Sequence, residues 1–241
     1  MSGDAQLSPM VLGVATREWD GWKNCVMSWL ATASDFYAGY NVKGKDVLPA
    51  FQEIYEKTKE PIIAYIHDDV VIHEKNWDLR VLREFEDPSV GLVGFGGAKR
   101  HGSPDLYKTP YRPQQLGRFG FMSNMRNAEA HGARFTGECT VAVLDGFAVI
   151  VRREILDKWG GWPQGTACGY FCYDYAICCE ARRQGYSIRL VGVDCDHLSG
   201  KTASLVQLKD DHAAAHQWLY DNYQDVLPYE VEEEVSWITR S

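Results

Sequence analysis

The chain has 241 residues, 45% of them hydrophobic and 24% charged, with a formal net charge of −8. That length suits one large domain with a substantial core, and the acidic balance disfavours a generally basic nucleic-acid coat protein while leaving room for a local basic surface. No apolar run reaches the roughly 18 residues of a membrane-spanning helix, and MSGDAQLSPM lacks the basic and apolar regions of a secretory signal, so the expected compartment is the cytoplasm, the host's if the protein is viral.

Val11 to Ala15 is a continuous apolar run stopping at Thr16-Arg17, which predicts a buried parallel strand. Trp22, Cys25, Val26, Trp29, Leu30 and Ala33 then recur at helical spacing. A short strand is predicted near Phe36–Tyr40, and a helix from about Val47 to Lys59 that Pro61 ends. Ile62 to Ile66 is apolar and rich in β-branched residues, and it breaks off at His67-Asp68-Asp69. A helix over Asn76–Phe85 and a strand over Val90–Gly94 complete a βαβαβαβ series. Such alternation predicts an α/β domain with a mostly parallel central sheet and helices on both faces. Ligands of these sheets bind beyond the carboxyl ends of the strands, where Thr16-Arg17 and His67-Asp68-Asp69 fall.

The stretch from about 96 to 137 reads differently. Gly96-Gly97 opens it, Pro104, Pro110 and Pro113 interrupt it, and periodicity is weak. Seven basic residues against two acidic ones give it a local charge of +5. A loop insertion near the active site, acting as a lid, is the expectation. Beyond it, strands are predicted at Val141–Leu144 and Phe147–Val151, bracketing Asp145-Gly146, and a short helix at Arg153–Lys158. Asp174, Ile177, Cys178 and Ala181 mark one face of a helix that Arg182-Arg183 and Gly185 close. A last strand at Ile188–Val193 leads to Asp194-Cys195-Asp196-His197, and a C-terminal helix at about 204–222 follows. The seven cysteines, odd in number and without a CxxC pair, read as reduced thiols rather than as a zinc site or a disulfide frame.

Two adjacent carboxylates at a strand end repel unless a cation compensates them. A hard divalent ion supplies that compensation, and His197 adds an imidazole after another strand. Oxygen ligands with one nitrogen suit Mn²⁺ or Mg²⁺. The plainer reading is that Asp68-Asp69 caps a turn. Asp174 has two readings as well, an N-cap or a functional carboxylate at a helix N-terminus, where the macrodipole is expected to keep it ionised at neutral pH.

Four segments carry a family resemblance: IHDDV, LDGFAVIVRREIL, YFCYDYAICCEARRQGY and DHLSG. In order and spacing they resemble the acidic strand-end motif, the acceptor-side strand and helix, the "ED" helix and the His segment of family 2 glycosyltransferases. The likeness runs from about Val11 to Lys201. It implies a single GT-A (Rossmann-like) domain over 1–241 and an inverting, metal-dependent transfer from a nucleotide diphosphate-sugar to an acceptor hydroxyl. Asp69 and His197 would hold Mn²⁺ or Mg²⁺. His67, which stands where many members have an Asp, and Asp68 would face the nucleotide. Thr16, Arg17, Asn41 and Lys201 complete the expected donor site, although Asn41 reads equally well as a turn residue. Asp174 is the expected base, and Asp145, Gly146, Trp162 and Tyr173 line the acceptor side, Trp162 reading equally as packing.

The acceptor stays open between a glycan, a small molecule and a modified base in DNA. Aromatic residues among the basic ones of 96–137 suit the last. A catalytically inactive nucleotide-sugar binding module is the non-enzyme alternative.

Overall fold

The computed structural model describes residues 8–16, 22–35, 37–43, 46–108, 110–126, 132–169, 171–198 and 208–232. The N-terminal half follows the predicted series, with the second strand shifted from the expected Phe36–Tyr40 and a short strand, β4, added: β1 (Met10–Thr16), α1 (Trp22–Thr32), β2 (Gly39–Lys43), α2 (Val47–Lys57), β3 (Ile62–Ile66), β4 (Val70–Ile72), α3 (Trp77–Glu84) and β5 (Val90–Gly94). After them come β6 (Gly96–His101), β7 (Arg118–Ser123), β8 (Ala133–Arg134), β9 (Glu138–Thr140), β10 (Val143–Leu144) and β11 (Ala148–Arg152). The chain continues through α4 (Arg153–Trp159), α5 (Tyr173–Arg183), β12 (Ser187–Val191), β13 (Cys195–His197), α6 (Leu208–Asn222) and β14 (Tyr229–Glu230).

The central sheet has seven strands in the order β2-β1-β3-β11-β5-β12-β9. β2, β1 and β3 are parallel neighbours, as are β5 and β12. β11 lies reversed between β3 and β5, and β9 is reversed against β12. The sheet is therefore parallel at its core, as expected, with two strands turned round.

Side chains alternate across the strands into two cores. Met10, Leu12 and Val14 of β1 and Ile62, Ala64 and Ile66 of β3 pack against Cys25 and Trp29 of α1 and Trp77 and Val81 of α3. Val11, Ile63, Tyr65, Val149 and Val151 face the other way, onto α2, α4 and α5. Trp29 is fully buried, and its Nε1 donates to the carbonyl of Val70 at 2.7 Å. Burial of a side chain that size stabilises by about 2 to 3 kcal/mol, and the bond pins the start of β4 beside Asp69. Helix α5 stops as its sequence predicts. Gly185 takes a left-handed φ of 85°, its N–H donates to Arg182 O, and the Tyr186 N–H donates to Ala181 O.

The stretch 96–137, expected as a loop insertion, contributes three strands, β6, β7 and β8, to a second sheet. Its order is β10-β6-β7-β8, with β14 on the side of β6. The sequence hides this because β6 reads GGAKRH, with no apolar alternation. Its glycines serve close packing instead: a Cβ on Gly97 would stand 2.7 Å from the Val143 carbonyl oxygen. Two three-residue strands, β4 and β13, pair with each other and are too short for periodicity to register. Helix α6 covers most of the expected C-terminal helix, and 204–207 lie outside the described residues. All seven cysteines are buried thiols.

Asp78 of α3 ties this framework together. Fully buried, it accepts hydrogen bonds from the Ser34 N–H at 2.8 Å and the Tyr37 hydroxyl at 2.7 Å, and from the Ser34 hydroxyl. Asp78→Ala would strand the buried Tyr37 hydroxyl and release Ser34, which lies at the surface. It is expected to lower the unfolding free energy by about 3 kcal/mol, as read from urea denaturation.

Candidate active site

Parallel pairing sets the site. Because β1 and β3 run the same way, Thr16 and His67 emerge at the same sheet edge. Reversed β11 enters the sheet from that edge, so the residues just before it, Asp145-Gly146-Phe147, are delivered there. The join is a backbone hydrogen bond from His67 N–H to Phe147 O at 2.9 Å. β13 pairs with β4 so that His197 lies opposite Val70, and the Leu198 N–H donates to Asp69 O at 2.9 Å. The His segment thus reaches the acidic motif by way of a short ribbon.

His67, Asp69 and His197 each offer a ligand atom, all within 4.8 Å of one another. Asp69 Oδ1 lies 3.3 Å from His197 Nε2 and 4.0 Å from His67 Nδ1. That oxygen is buried and, among the described residues, accepts no hydrogen bond of regular geometry, an arrangement that fits a cation. Burial works to raise the Asp69 pKa, but the contact with His197 outweighs it and holds the carboxyl below its usual value. His67 is shifted down by burial first and by His197 second. The Phe147 ring stacks on His197 with centroids 5.0 Å apart.

Tyr173 and Asp174 open α5 on the other side of this cluster. The Tyr173 hydroxyl donates to Gly146 O at 3.0 Å and lies 2.6 Å from His67 Nε2. Position 146 must be glycine for this approach, since a Cβ there would stand 2.2 Å from the hydroxyl oxygen. Asp174 accepts from Gly146 N–H at 3.1 Å and from Tyr175 N–H at 2.9 Å. It is not the N-cap of α5; Cys172 holds that position. Burial, and after it the charge of Asp145, push the Asp174 carboxyl up to about 7. This differs from the expectation that the helix N-terminus keeps it ionised at neutral pH: with 8% exposure, desolvation outweighs both N–H bonds. Arg118 of β7 pairs with Asp145 at 2.6 Å and opposes the shift.

The remaining expected site residues divide. Thr16 is buried at the end of β1. Asp68 is half-buried beside Asp69. Asn41 lies within β2 opposite Val14 rather than in a turn, and its buried Oδ1 has no hydrogen-bond partner among the described residues. Trp162 is 2% exposed and packs edge-on against Tyr65. Arg17 and Lys201 lie outside the described residues. Sequence reasoning missed Arg118, whose partner across the second sheet left no local signal.

A family described as "Glycosyltransferase like family" matches residues 42–222. No curated protein matches the chain in sequence. Among solved structures, the mannosyltransferase PcManGT from Pyrobaculum calidifontis, in complex with GDP-Man and Mn²⁺, is similar with a TM-score of 0.51 at 13% identity. That likeness covers 82% of this chain and 59% of the mannosyltransferase, so the chain spans little more than half of its length. A197 from STIV is similar over 80% of this chain and 87% of its own, with a TM-score of 0.47 at 11% identity. The fold is of the GT-A type, and no described helix is long and apolar enough to cross a membrane.

The raised Asp174 pKa carries a stability signature. Its folded value of about 7 lies above the ordinary value of 3.8, so the folded state holds a proton that the unfolded chain has released between these limits. The resulting stabilisation is complete below the ordinary value and is lost as pH rises to the folded one, by as much as about 4 kcal/mol. In Asp174→Asn that part of the decline between pH 4 and 7 is expected to vanish, which urea midpoints of both proteins across the range will measure.

Proposed function

The chain belongs to the glycosyltransferase-like family, and we propose that it transfers a sugar from a nucleotide diphosphate-sugar to an acceptor hydroxyl, with a divalent ion and with inversion. One juxtaposition carries this reading: a cation-shaped group of acceptor atoms around Asp69 Oδ1, and a neutral-range carboxyl, Asp174, on the adjoining helix. Asp69 and His197 would hold Mn²⁺ or Mg²⁺, and a bound ion would offset the charge of the departing diphosphate. Thr16, Arg17, Asn41, Asp68 and Lys201 form the proposed donor-binding set, and the unpartnered Asn41 Oδ1 suits an N–H of the nucleobase.

Inversion needs a carboxylate that takes the acceptor proton as its oxygen attacks the anomeric carbon. A base serves best when its pKa lies near the working pH, as that of Asp174 does. Asp145 and Gly146 hold it in place, Asp145 by charge and through Arg118, Gly146 by its N–H. Retention of Asp69, Asp174 and His197 together favours an enzyme over an inactive binding module.

On the acceptor, the ion pairs favour a glycan or small molecule over modified DNA. Arg118 is engaged by Asp145, Arg126 by Asp194 and Lys108 by Asp105, so much of the basic charge of 96–137 is already paired. Beside β7 lies a cavity of about 640 Å³ lined by Ser103, Pro110, Arg112, Gln114, Gln115 and Phe119. Amide, hydroxyl and guanidinium groups next to one aromatic ring suit a saccharide.

Thermal unfolding with UDP, GDP, CDP, ADP and dTDP, each with and without Mn²⁺, tests the donor site. GDP comes first, because the mannosyltransferase of similar fold was solved with GDP-Man. One nucleotide is expected to stabilise the protein only with metal, by about 2.7 kcal/mol at a hundredfold excess over Kd, and Asp69→Ala is expected to abolish the effect. No shift with any nucleotide would remove the mechanism. Asp174→Asn should keep that nucleotide binding while kcat falls by roughly 100- to 10,000-fold; near-normal turnover would end its assignment as base.

A further inference from the structure

The Tyr173 hydroxyl has one proton to give and stands against both Gly146 O and His67 Nε2. Gly146 O can only accept, so the bond of 3.0 Å between them consumes that proton. His67 Nε2, 2.6 Å from the same oxygen, must then be the donor. Both bonds are satisfied when His67 carries a hydrogen on Nε2, and in the neutral ring this leaves the lone pair on Nδ1. That lone pair lies 4.0 Å from Asp69 Oδ1, itself an acceptor. Two acceptors facing each other in a half-buried site repel unless a cation lies between them. Metal bonds to nitrogen and oxygen are roughly 2.0–2.2 Å, so donors on opposite sides of one ion stand about 4 Å apart. The separations of 4.0 Å and 3.3 Å around Asp69 Oδ1 fall within that span.

We propose that Tyr173 is a positioning residue that makes His67 a third metal ligand through Nδ1, so that two imidazoles and one carboxylate favour a first-row transition ion over Mg²⁺. This replaces the nucleotide contact expected for His67 and rests on the reading of the site as metal-dependent. The carbonyl of Gly146 anchors the tyrosine, the tyrosine fixes the imidazole, and the imidazole meets the ion; outer partners of this kind set ligand orientation and basicity. Imidazole donors suit first-row transition ions, whereas Mg²⁺ prefers an all-oxygen set.

The test uses the full chain in four forms: wild type, Tyr173→Phe, His67→Gln and Asp69→Ala. Long-range proton–nitrogen spectra of metal-free, ¹⁵N-histidine protein report the tautomer of each histidine, and His67→Gln identifies the His67 signal. Calorimetric titration with Co²⁺ alone and with Mg²⁺ alone reports affinity and selectivity. The wild type is expected to show His67 protonated on Nε2 and to bind Co²⁺ more tightly than Mg²⁺. Tyr173→Phe is expected to lose the fixed tautomer and about 10- to 100-fold in Co²⁺ affinity, with Mg²⁺ much less affected. An unchanged tautomer and Co²⁺ affinity in Tyr173→Phe, with binding abolished in Asp69→Ala, would overturn the proposal while leaving the metal site standing. Absence of Co²⁺, Mg²⁺ and Mn²⁺ binding in the wild type would remove the metal-dependent reading and this proposal with it. Should Tyr173→Phe fail to fold, His67→Gln decides: unchanged selectivity for Co²⁺ over Mg²⁺ there would equally overturn the assignment.

Discussion

The site depends on one reversed strand. β11 runs against β3, and its first backbone bond, Phe147 O with His67 N–H, fastens the acceptor-side segment to the acidic motif. From that junction each neighbouring group does separate duty. The Gly146 N–H holds Asp174, the Gly146 carbonyl holds Tyr173, Asp145 holds Arg118, and the Phe147 ring supports His197. Were β11 parallel to its neighbours, it would enter the sheet from the opposite edge and these contacts would have no common origin. Backbone groups make the contacts with α5, so they cost little side-chain entropy to fix.

The electrostatic character of the two halves differs for a physical reason. Around Asp69, ligand atoms of three half-buried residues gather, and the carboxylate stays ionised because His197 flanks it. Around Asp174, burial is nearly complete and the nearest carboxylate, Asp145, opposes ionisation. One environment holds negative charge for a cation; the other keeps a proton within reach of neutral pH. Tuning two acids in opposite directions by surroundings alone is how one site accommodates an electrostatic role and a proton-transfer role.

Much of the framework was legible because local pattern decided it. The apolar runs of β1, β3 and β5, the helical spacing of α1, and the Arg-Arg-x-Gly end of α5 all depend on neighbours in sequence. The direction of β11 was not legible, since a strand's apolar run looks the same read either way. β4 and β13 escaped because three residues carry no period, and β6 because GGAKRH packs through its missing side chains. In the site, Asp69, His197 and Asp174 could be placed by motif, and the structure sets them on one edge. The ionisation of Asp174 could not be read, because burial and the distance to Asp145 are tertiary facts. The burial of Trp162 against Tyr65 was equally out of reach, because a tryptophan after Gly-Gly carries no local sign of what packs on it.

Tyr173 and Asp174 are consecutive residues in the first turn of α5, yet one faces the imidazole cluster and the other is the buried acid. Their side chains leave the helix about 100° apart, enough to serve two neighbouring sites from a single turn. Any rotation or shift of that turn would therefore move both together. Lineages adjusting one function by backbone drift would disturb the other, so the two are free to diverge only through side-chain replacement. The helix start works as a common mount, and the site it carries is assembled whole or not at all.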